Sequence, residues 1–434
     1  MHVTVFGTGY VGLVSGACFS DFGHVVTCID KDAAKIAALN EGRIPIFEPG
    51  LDALVARNVR EGRLFFTTDA APAIGAADVV LIAVGTPSRR GDGLADLSYV
   101  RGAAREIAAE SQGFTVVVTK STVPVGTGDE VEALIREQRP AGEFAVVANP
   151  EFLREGAAIE DFKHPDRIVV GTDDERARRI MRELYRPLFI NETPILFTGR
   201  RTAELIRFAS NAFLATKITF INEIADLCEK VGADVQQVAR GMGLDRRIGA
   251  KFLHAGPGFG GSCLPKDTAA LVGTAKRYGS RLAIVEAVVG ANASRQAAIA
   301  DKVIAASGGS VAGKTVAVLG LTFKPNTDDM RDAASLVVLP ALAGKGARVR
   351  AYDPAGMEEA RRLIPGLDTA PDPYACMDGA DAVVILTEWE QFRALDLDRV
   401  KAALRSPVIV DLRNIYDPAD LKAKGFTYVS VGRA

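Results

Sequence analysis

The sequence predicts an α/β fold in which two lobes, each built on a parallel, doubly wound sheet, are joined by a long central helix. Three observations carry that prediction. Apolar runs of strand length alternate with helix-length segments through residues 2–148, and the same alternation resumes at Gly313. Between them, residues 201–231 run without Gly or Pro, and Leu205, Phe208, Ala212, Ala215 and Phe220 recur at helical spacing. Finally, Ala380–Thr387 (Ala-Asp-Ala-Val-Val-Ile-Leu-Thr) echoes Ala77–Val84 (Ala-Asp-Val-Val-Leu-Ile-Ala-Val), so the C-terminal lobe reads as a diverged copy of the N-terminal one.

Taken in order, residues 2–6 (His-Val-Thr-Val-Phe) predict a buried strand, followed by a helix to about Phe22 and a second strand over 24–30. Further strands are expected at Ala77–Val84, Thr115–Thr119 and Phe144–Ala148. Each ends in a polar or turn-forming segment: Gly85-Thr86-Pro87, Ser121-Thr122-Val123-Pro124 and Asn149-Pro150-Glu151. Runs that are apolar throughout suit a parallel sheet covered on both faces, whose ligands sit beyond the carboxyl ends of the strands. The helix over 201–231 would span roughly 45 Å and act as a spine between lobes. After it, Val316–Gly320 predicts a strand, Ala333–Ala343 a helix and Ala347–Asp353 a strand. The expected division is 1–198, 199–310 and 311–434.

Composition narrows the functional classes. At 434 residues the chain is too long for one ordinary core. A 48% hydrophobic and 24% charged content with net charge −2 fits a globular protein and gives no basic footprint for nucleic acid. Cys18, Cys28, Cys228, Cys263 and Cys376 are scattered and odd in number, which argues against a disulfide framework and for a reducing compartment. With only four histidines, a metal site is not expected. No signal peptide and no membrane-spanning run are expected.

The first chemical motif is Gly7-Thr8-Gly9-Tyr10-Val11-Gly12, placed between the first strand and its helix and followed by Asp30 at the end of the next strand. Glycines there permit a tight turn and close approach of a pyrophosphate, which the helix N-terminus favours. Asp30 would accept from the ribose hydroxyls and disfavour a 2′-phosphate, so the pattern is a Rossmann-type site that prefers NAD to NADP. Lys35, about one turn into the following helix, could add a ribose contact. The C-terminal lobe keeps Gly320 but lacks the fingerprint, so a second dinucleotide site is not expected, although its sheet could hold another nucleotide.

The second is Gly256-Pro257-Gly258-Phe259-Gly260-Gly261-Ser262-Cys263-Leu264-Pro265-Lys266-Asp267. A lone cysteine is more often a small buried hydrophobe, as expected for the other four, which lie in apolar patterns. Cys263 instead precedes an expected helix, Thr268–Tyr278, whose positive end and Lys266 would favour a thiolate. Asp267 reads equally as an N-cap or as a catalytic carboxylate. A third segment, Asn149–Glu155, carries Glu151 and Glu155 four apart; if helical, they share a face, and a solvated acidic helix start explains them as well. Arg207 and Asn211, also four apart, interrupt the apolar pattern of the long helix and would face a cavity, a partner or a neighbouring helix. Lys324 and Arg331, after the strand at 316–320, could meet phosphates or belong to a charged loop.

Together these stretches resemble the UDP-glucose 6-dehydrogenases, within the nucleotide-sugar dehydrogenases. The resemblance runs from Gly7–Leu13 to Asp411-Leu412-Arg413 and includes Gly85–Pro87, Ser121–Thr127, Asn149–Gly156, Gly256–Asp267 and Gly320–Arg331. Phe252–Gly258 and Thr387-Glu388-Trp389 are more similar to the UDP-glucose branch than to the GDP-mannose branch. The resemblance implies a four-electron oxidation of a primary alcohol to a carboxylate with two NAD and one water. Cys263 would form a thiohemiacetal and then a thioester, while Thr122, Glu151 and Asp267 position or activate water and Asn211 stabilises charge on oxygen. NAD contacts would come from Gly7, Gly9, Tyr10, Val11, Gly12, Asp30, Lys35, Thr86, Thr122, Glu155, Lys266 and Arg331. UDP-glucose contacts would come from Glu151, Phe152, Leu153, Arg154, Glu155, Arg207, Asn211, Arg247, Lys251, His254, Gly256, Phe259, Gly260, Cys263, Phe323, Lys324 and Arg413.

One position departs from the family pattern: where the family has Lys four residues before Asn211, this chain has Arg207. A guanidinium stays protonated, so Arg207 can stabilise an oxyanion but cannot serve as a general base. The alternatives are a sister dehydrogenase acting on GDP-mannose or a UDP-hexosamine, and a catalytically weak NAD-binding regulator. The resemblance and the long apolar helix also imply a homodimer, in the cytoplasm, with no nucleic-acid or membrane partner.

Overall fold

The computed structural model describes residues 1–87 and 95–433. The chain divides into two compact units, Met1–Ser210 with Lys276–Tyr278, and Asn211–Ala275 with Gly279–Ala434.

In the first unit, β1 (His2–Phe6), β2 (Val25–Ile29), β3 (Leu64–Thr67), β4 (Val79–Ile82), β5 (Thr115–Thr119), β6 (Phe144–Ala148), β7 (Ile168–Gly171) and β8 (Ile195–Thr198) form one sheet. Its order is β3-β2-β1-β4-β5-β6-β7-β8. The first six strands follow the Rossmann order, with the switch point between β1 and β4. Alternation along each strand feeds two cores. Val79 and Leu81 join Val3, Val5, Val26 and Cys28 on one face, while Val80 and Ile82 join Phe6, Ile29 and Val117 on the other. This is why the strands read as continuous apolar runs.

The sheet departs from the expected all-parallel pattern at one joint, since β6 pairs with β7 antiparallel, through Ala148 and Gly171. The connection over 149–167 therefore begins and ends at the carboxyl edge of the sheet, carrying only the short helix Ala158–Lys163. That return keeps the Asn149–Gly156 segment at the edge where ligands bind in such sheets.

The second unit repeats the plan. Strands β9 (Thr315–Leu319), β10 (Arg348–Tyr352), β11 (Asp368–Thr369), β12 (Ala382–Ile385), β13 (Val408–Asp411) and β14 (Thr427–Ser430) pair in parallel in the order β11-β10-β9-β12-β13-β14. Val316 and Val318 face one core, and Ala317 and Leu319 the other. The two Rossmann-like domains are linked by a helix from Arg200 to Val231, 32 residues long and one residue longer at its start than the sequence pattern predicts. Phe208, Ala212, Ala215, Ile221, Ala225 and Cys228 are its buried face. Among the described residues no helix is long and apolar enough to cross a membrane.

Candidate active site

In the first unit β1 ends at Phe6, Gly7 follows it, and the next helix begins at Tyr10. Gly7 has φ +98°, and a Cβ there would lie 2.6 Å from the Ala83 carbonyl oxygen, so only glycine makes this turn against β4. At Gly9 a Cβ would meet nothing within 4 Å among the described residues, which fits the open approach a pyrophosphate needs at a helix N-terminus. Asp30, just beyond β2, accepts from Thr8 N–H at 2.9 Å and Thr8 Oγ1 at 2.7 Å. Lys35 Nζ lies 3.2 Å from the same carboxylate. Burial acts to raise the Asp30 carboxyl, but the hydrogen bonds from Thr8 and Asp32 and the charge of Lys35 outweigh it and hold it below its ordinary value. An acceptor fixed in this way at the end of the second strand fits a dinucleotide ribose.

The C-terminal lobe contains the counterpart of this acid in a closed form. Asp353, just beyond β10, is buried and accepts from Leu321 N–H at 2.7 Å, Thr322 N–H at 3.1 Å and Trp389 Nε1 at 3.1 Å. Its other oxygen accepts from Ala355 and Gly356 N–H. The lobe itself saturates the carboxylate that a ribose would otherwise use.

The loops at the carboxyl edge of the first sheet are tied to one another. Thr86 Oγ1 donates to the Thr122 carbonyl at 2.9 Å, and Ser121 Oγ donates to the Val84 carbonyl at 2.7 Å. Glu204, from the long helix, accepts from Gly126 and Gly128 N–H at 2.6 and 2.7 Å and so caps the helix Thr127–Gln138. Burial raises the Glu204 carboxyl, and those two N–H groups only partly offset it. Arg207 Nη2 meets Glu151 Oε1 at 2.9 Å, both side chains buried. A pocket lined by Thr122, Pro150, Glu204 and Arg207, among others, has room for about one water.

Glu151 and Glu155 do not share a helical face, because residues 151–154 belong to no helix or strand and the next helix begins only at Ala158. Pro150 and the local bonding explain the difference: Glu151 folds back to accept from Leu153 N–H, a turn that competes with helix. Phe152 stacks on the Arg167 guanidinium at 3.6 Å, and exposed Arg154 pairs with Asp161 at 2.6 Å. Tyr10 donates to Glu48, which also accepts from Gly156 N–H at 2.6 Å and Ala158 N–H at 2.8 Å. This fixes the end of the same segment to the start of the first helix.

In the second unit the helix after the cysteine loop runs Leu264–Arg277, four residues earlier at its start than the pattern predicts. Asp267 therefore lies inside the helix, and its N-cap reading is corrected. Its N–H donates to the Cys263 carbonyl at 2.8 Å, which makes Cys263 the residue from which the helix starts. Pro265 explains the early start, since the first turn of a helix tolerates proline. Asp267 is fully buried and accepts from Asn211 Nδ2 at 2.6 Å. Cys263 is half-buried, with Ser262 Oγ 3.5 Å from its sulfur, whereas the other four cysteines are buried. Burial pushes the Cys18, Cys28 and Cys376 thiols up to about 12, away from thiolate chemistry.

Side chains from two helices hold the glycine loop by its backbone. Asn222 accepts from Gly256 N–H at 2.8 Å, and Arg295 Nε donates to the Gly256 carbonyl at 3.1 Å. Asn292 both accepts from Phe259 N–H and donates to its carbonyl. Gly261, at φ +85°, packs so closely on Phe323 that a Cβ would lie 2.6 Å from the ring. Arg413 reaches the Phe323 carbonyl at 3.1 Å and Glu388 at 3.1 Å. Arg247, Lys251 and His254 are exposed, and Arg331 pairs with Asp329 at 2.8 Å. Lys324 and Gly260 are half-exposed on the same unit.

Comparison with known proteins places this geometry. The chain matches the UDP-glucose/GDP-mannose dehydrogenase family in three parts: the NAD binding domain over residues 1–189, the central domain over 201–294 and the UDP binding domain over 317–418. It is 66% identical to the UDP-glucose 6-dehydrogenase of Rhizobium meliloti (strain 1021), over all of both chains. The chain belongs to this family. Among solved structures, a UDP-glucose dehydrogenase from the hyperthermophilic archaeon Pyrobaculum islandicum is 40% identical, with a TM-score of 0.90 and coverage of 100% of this chain and 98% of that one. A UDP-D-ManNAc dehydrogenase from Pyrococcus horikoshii is 27% identical, with a TM-score of 0.86 and coverage of 100% and 99%.

As a member of the family the chain is an NAD-dependent dehydrogenase, and the Gly7–Asp30 geometry fits that cofactor. Thr122, Glu151 and Arg207 lie within the first unit, and Asn211, Cys263 and Asp267 within the second. Sequence reading missed Lys120, Glu48 and Glu204 in the first unit and Asn222, Asn292 and Arg295 in the second. The available signal was the one that exposed Arg207 and Asn211, namely a polar residue interrupting an apolar stretch.

Proposed function

We propose that this chain oxidises UDP-glucose to UDP-glucuronate through a covalent intermediate on Cys263. The observation that carries the reading is a half-buried cysteine at the start of a helix whose next turn presents the buried Asp267–Asn211 pair. A helix N-terminus favours a thiolate, and a free aldehyde between two oxidations would escape unless captured. NAD supplies the hydride acceptor, and two are consumed.

Loss of hydride and proton from the primary alcohol gives the aldehyde. The Cys263 sulfur adds to its carbon, and the oxygen takes a proton to give the thiohemiacetal. Loss of a second hydride and proton gives the thioester. Water then adds, the C–S bond breaks and the carboxylate leaves with the thiolate restored. Thr122, Glu151 and Asp267 would position or activate water, and Asn211 would donate to oxygen as charge develops. Arg207, unable to accept a proton, would supply fixed positive charge instead.

The test is the NADH yield per UDP-glucose. Two supports the full oxidation, one would indicate an aldehyde product, and none would indicate a binding protein. A panel of nucleotide sugars, including GDP-mannose and UDP-hexosamines, separates UDP-glucose from the substrates of sister enzymes. A homodimer belongs to the same reading: Phe213, Phe220 and Leu227 recur every seven residues on the long helix and are all exposed in the single chain. So do a cytoplasmic location and the division at 1–198, 199–310 and 311–434.

A further inference from the structure

Lys120 lies outside the roles assigned above, yet its ammonium is buried beneath the edge of the first sheet where Thr122 and Glu151 stand. It follows β5 directly and precedes Thr122 by two residues. Asn149 follows β6 directly and precedes Glu151 by two. The two strands are neighbours, with Thr119 opposite Ala148. Lys120 Nζ donates to Asn149 Oδ1 at 3.1 Å and to Tyr185 Oη at 3.1 Å, while Tyr185 donates to Asn149 Oδ1 at 2.6 Å. Asn149 Nδ2 in turn donates to the Val169 carbonyl at 2.7 Å. All three side chains of this triangle are buried.

We propose that Lys120 is a positioning residue for the hydrolytic half of the reaction, holding the roots of the Thr122 and Glu151 loops in register through the Lys120–Asn149–Tyr185 triangle. Among the described residues both hydrogen-bond partners of the ammonium are neutral, and no carboxylate contacts the buried cation. Packing alone would be served better by an apolar side chain of similar volume, because a buried charge is costly. The charges that Lys120 feels most are Glu151 and Arg207, the pair at the mouth of those loops. Burial, helped by Arg207 and opposed by Glu151, pushes Lys120 down to about 8, in keeping with a cation held there against its solvation preference. A residue that costs stability and bridges the two loops is the signature expected of a functional placement.

This inference rests on the reading that Thr122 and Glu151 act on water, and its test separates the two. Lys120→Met and Tyr185→Phe are compared with wild type and Glu151→Gln by rapid-quench NADH formation, intact mass of the Cys263 adduct and urea denaturation. In Lys120→Met the fast release of two NADH per site persists, and steady-state turnover falls by at least about tenfold. The KM values for UDP-glucose and NAD stay within about threefold. The adduct accumulates, and the urea midpoint is unchanged or higher. Tyr185→Phe shows the same pattern more weakly. Turnover close to wild type, or an equal slowing of both phases with a lowered midpoint, would overturn the proposal. If Glu151→Gln accumulates adduct and Lys120→Met does not, only the Lys120 role fails; if neither does, the Glu151 reading fails with it.

Discussion

Arg207 Nη2 stands 2.9 Å from Glu151 Oε1, with side-chain exposures of 5% and 4%. The pair joins the long helix to the loop after β6. Removing one partner of a buried pair leaves the other charge uncompensated. Arg207→Ala should therefore cost about 3–5 kcal/mol of stability, read by urea denaturation. Arg207→Lys keeps the charge and restores an amine that can exchange a proton. It should change the single-turnover rate of alcohol oxidation by more than it changes UDP-glucose affinity. Equal effects on both would remove Arg207 from the chemistry.

Cys263→Ser should lower four-electron turnover by at least about a thousandfold, because the alkoxide of serine is not available at neutral pH as a thiolate is. NADH yield and adduct mass read the effect. Undiminished turnover would exclude a covalent step at this residue.

Asp30→Ala should raise KM for NAD by on the order of tenfold, as loss of a charge-assisted hydrogen bond to a ribose would. It should also narrow the preference for NAD over NADP by removing the charge that repels a 2′-phosphate. The folded-state carboxyl sits below its unfolded value, so its stabilising contribution is complete above about pH 4 and is lost as pH falls through the lower folded-state value. Asp30→Asn should flatten that part of the acid-unfolding profile.

Lys120 has the opposite linkage. Its folded-state amine, near 8, lies below the unfolded value, so the folded state binds fewer protons between about pH 8 and 10.4. Wild-type stability relative to Lys120→Met should therefore rise across that window and level off above it. A difference that does not change with pH would show that the amine is not held below its solution value.

Gly261→Ala should destabilise by about 1–3 kcal/mol, because the backbone there is left-handed and the added methyl would overlap the Phe323 ring. Since the loop leads into Cys263, turnover should fall with stability, and thermal denaturation alongside NADH assays reads both. Full activity in a stable Gly261→Ala protein would show that Phe323 moves freely.

Much of the architecture was legible because short-range patterns dictate it. Buried parallel strands must be apolar on both faces, and β1, β5 and β6 lie where that rule puts them. The Gly7–Gly12 turn and Asp30 were readable for the same reason: sterics and charge at a strand–helix junction leave few residue choices. Local signals failed where a turn was settled by a distant or unusual partner. Glu151 folds onto Leu153 N–H and pairs with Arg207, and the helix after the cysteine starts at Leu264 because Pro265 fits its first turn. The reversed β7 was likewise invisible, since periodicity of two carries no direction.

By itself the sequence determined which residues are chemically able: one cysteine on a glycine loop, a dinucleotide fingerprint with its acid, and an arginine interrupting the apolar pattern of the long helix. Only the tertiary structure decided how those residues are held. It placed Asp267 inside a helix on Asn211, closed Asp353 to a ribose, and buried Lys120 between Asn149 and Tyr185. The reason is physical. Propensity and periodicity are properties of neighbours in the chain, whereas desolvation and hydrogen-bond pairing depend on groups that the chain brings together from far apart.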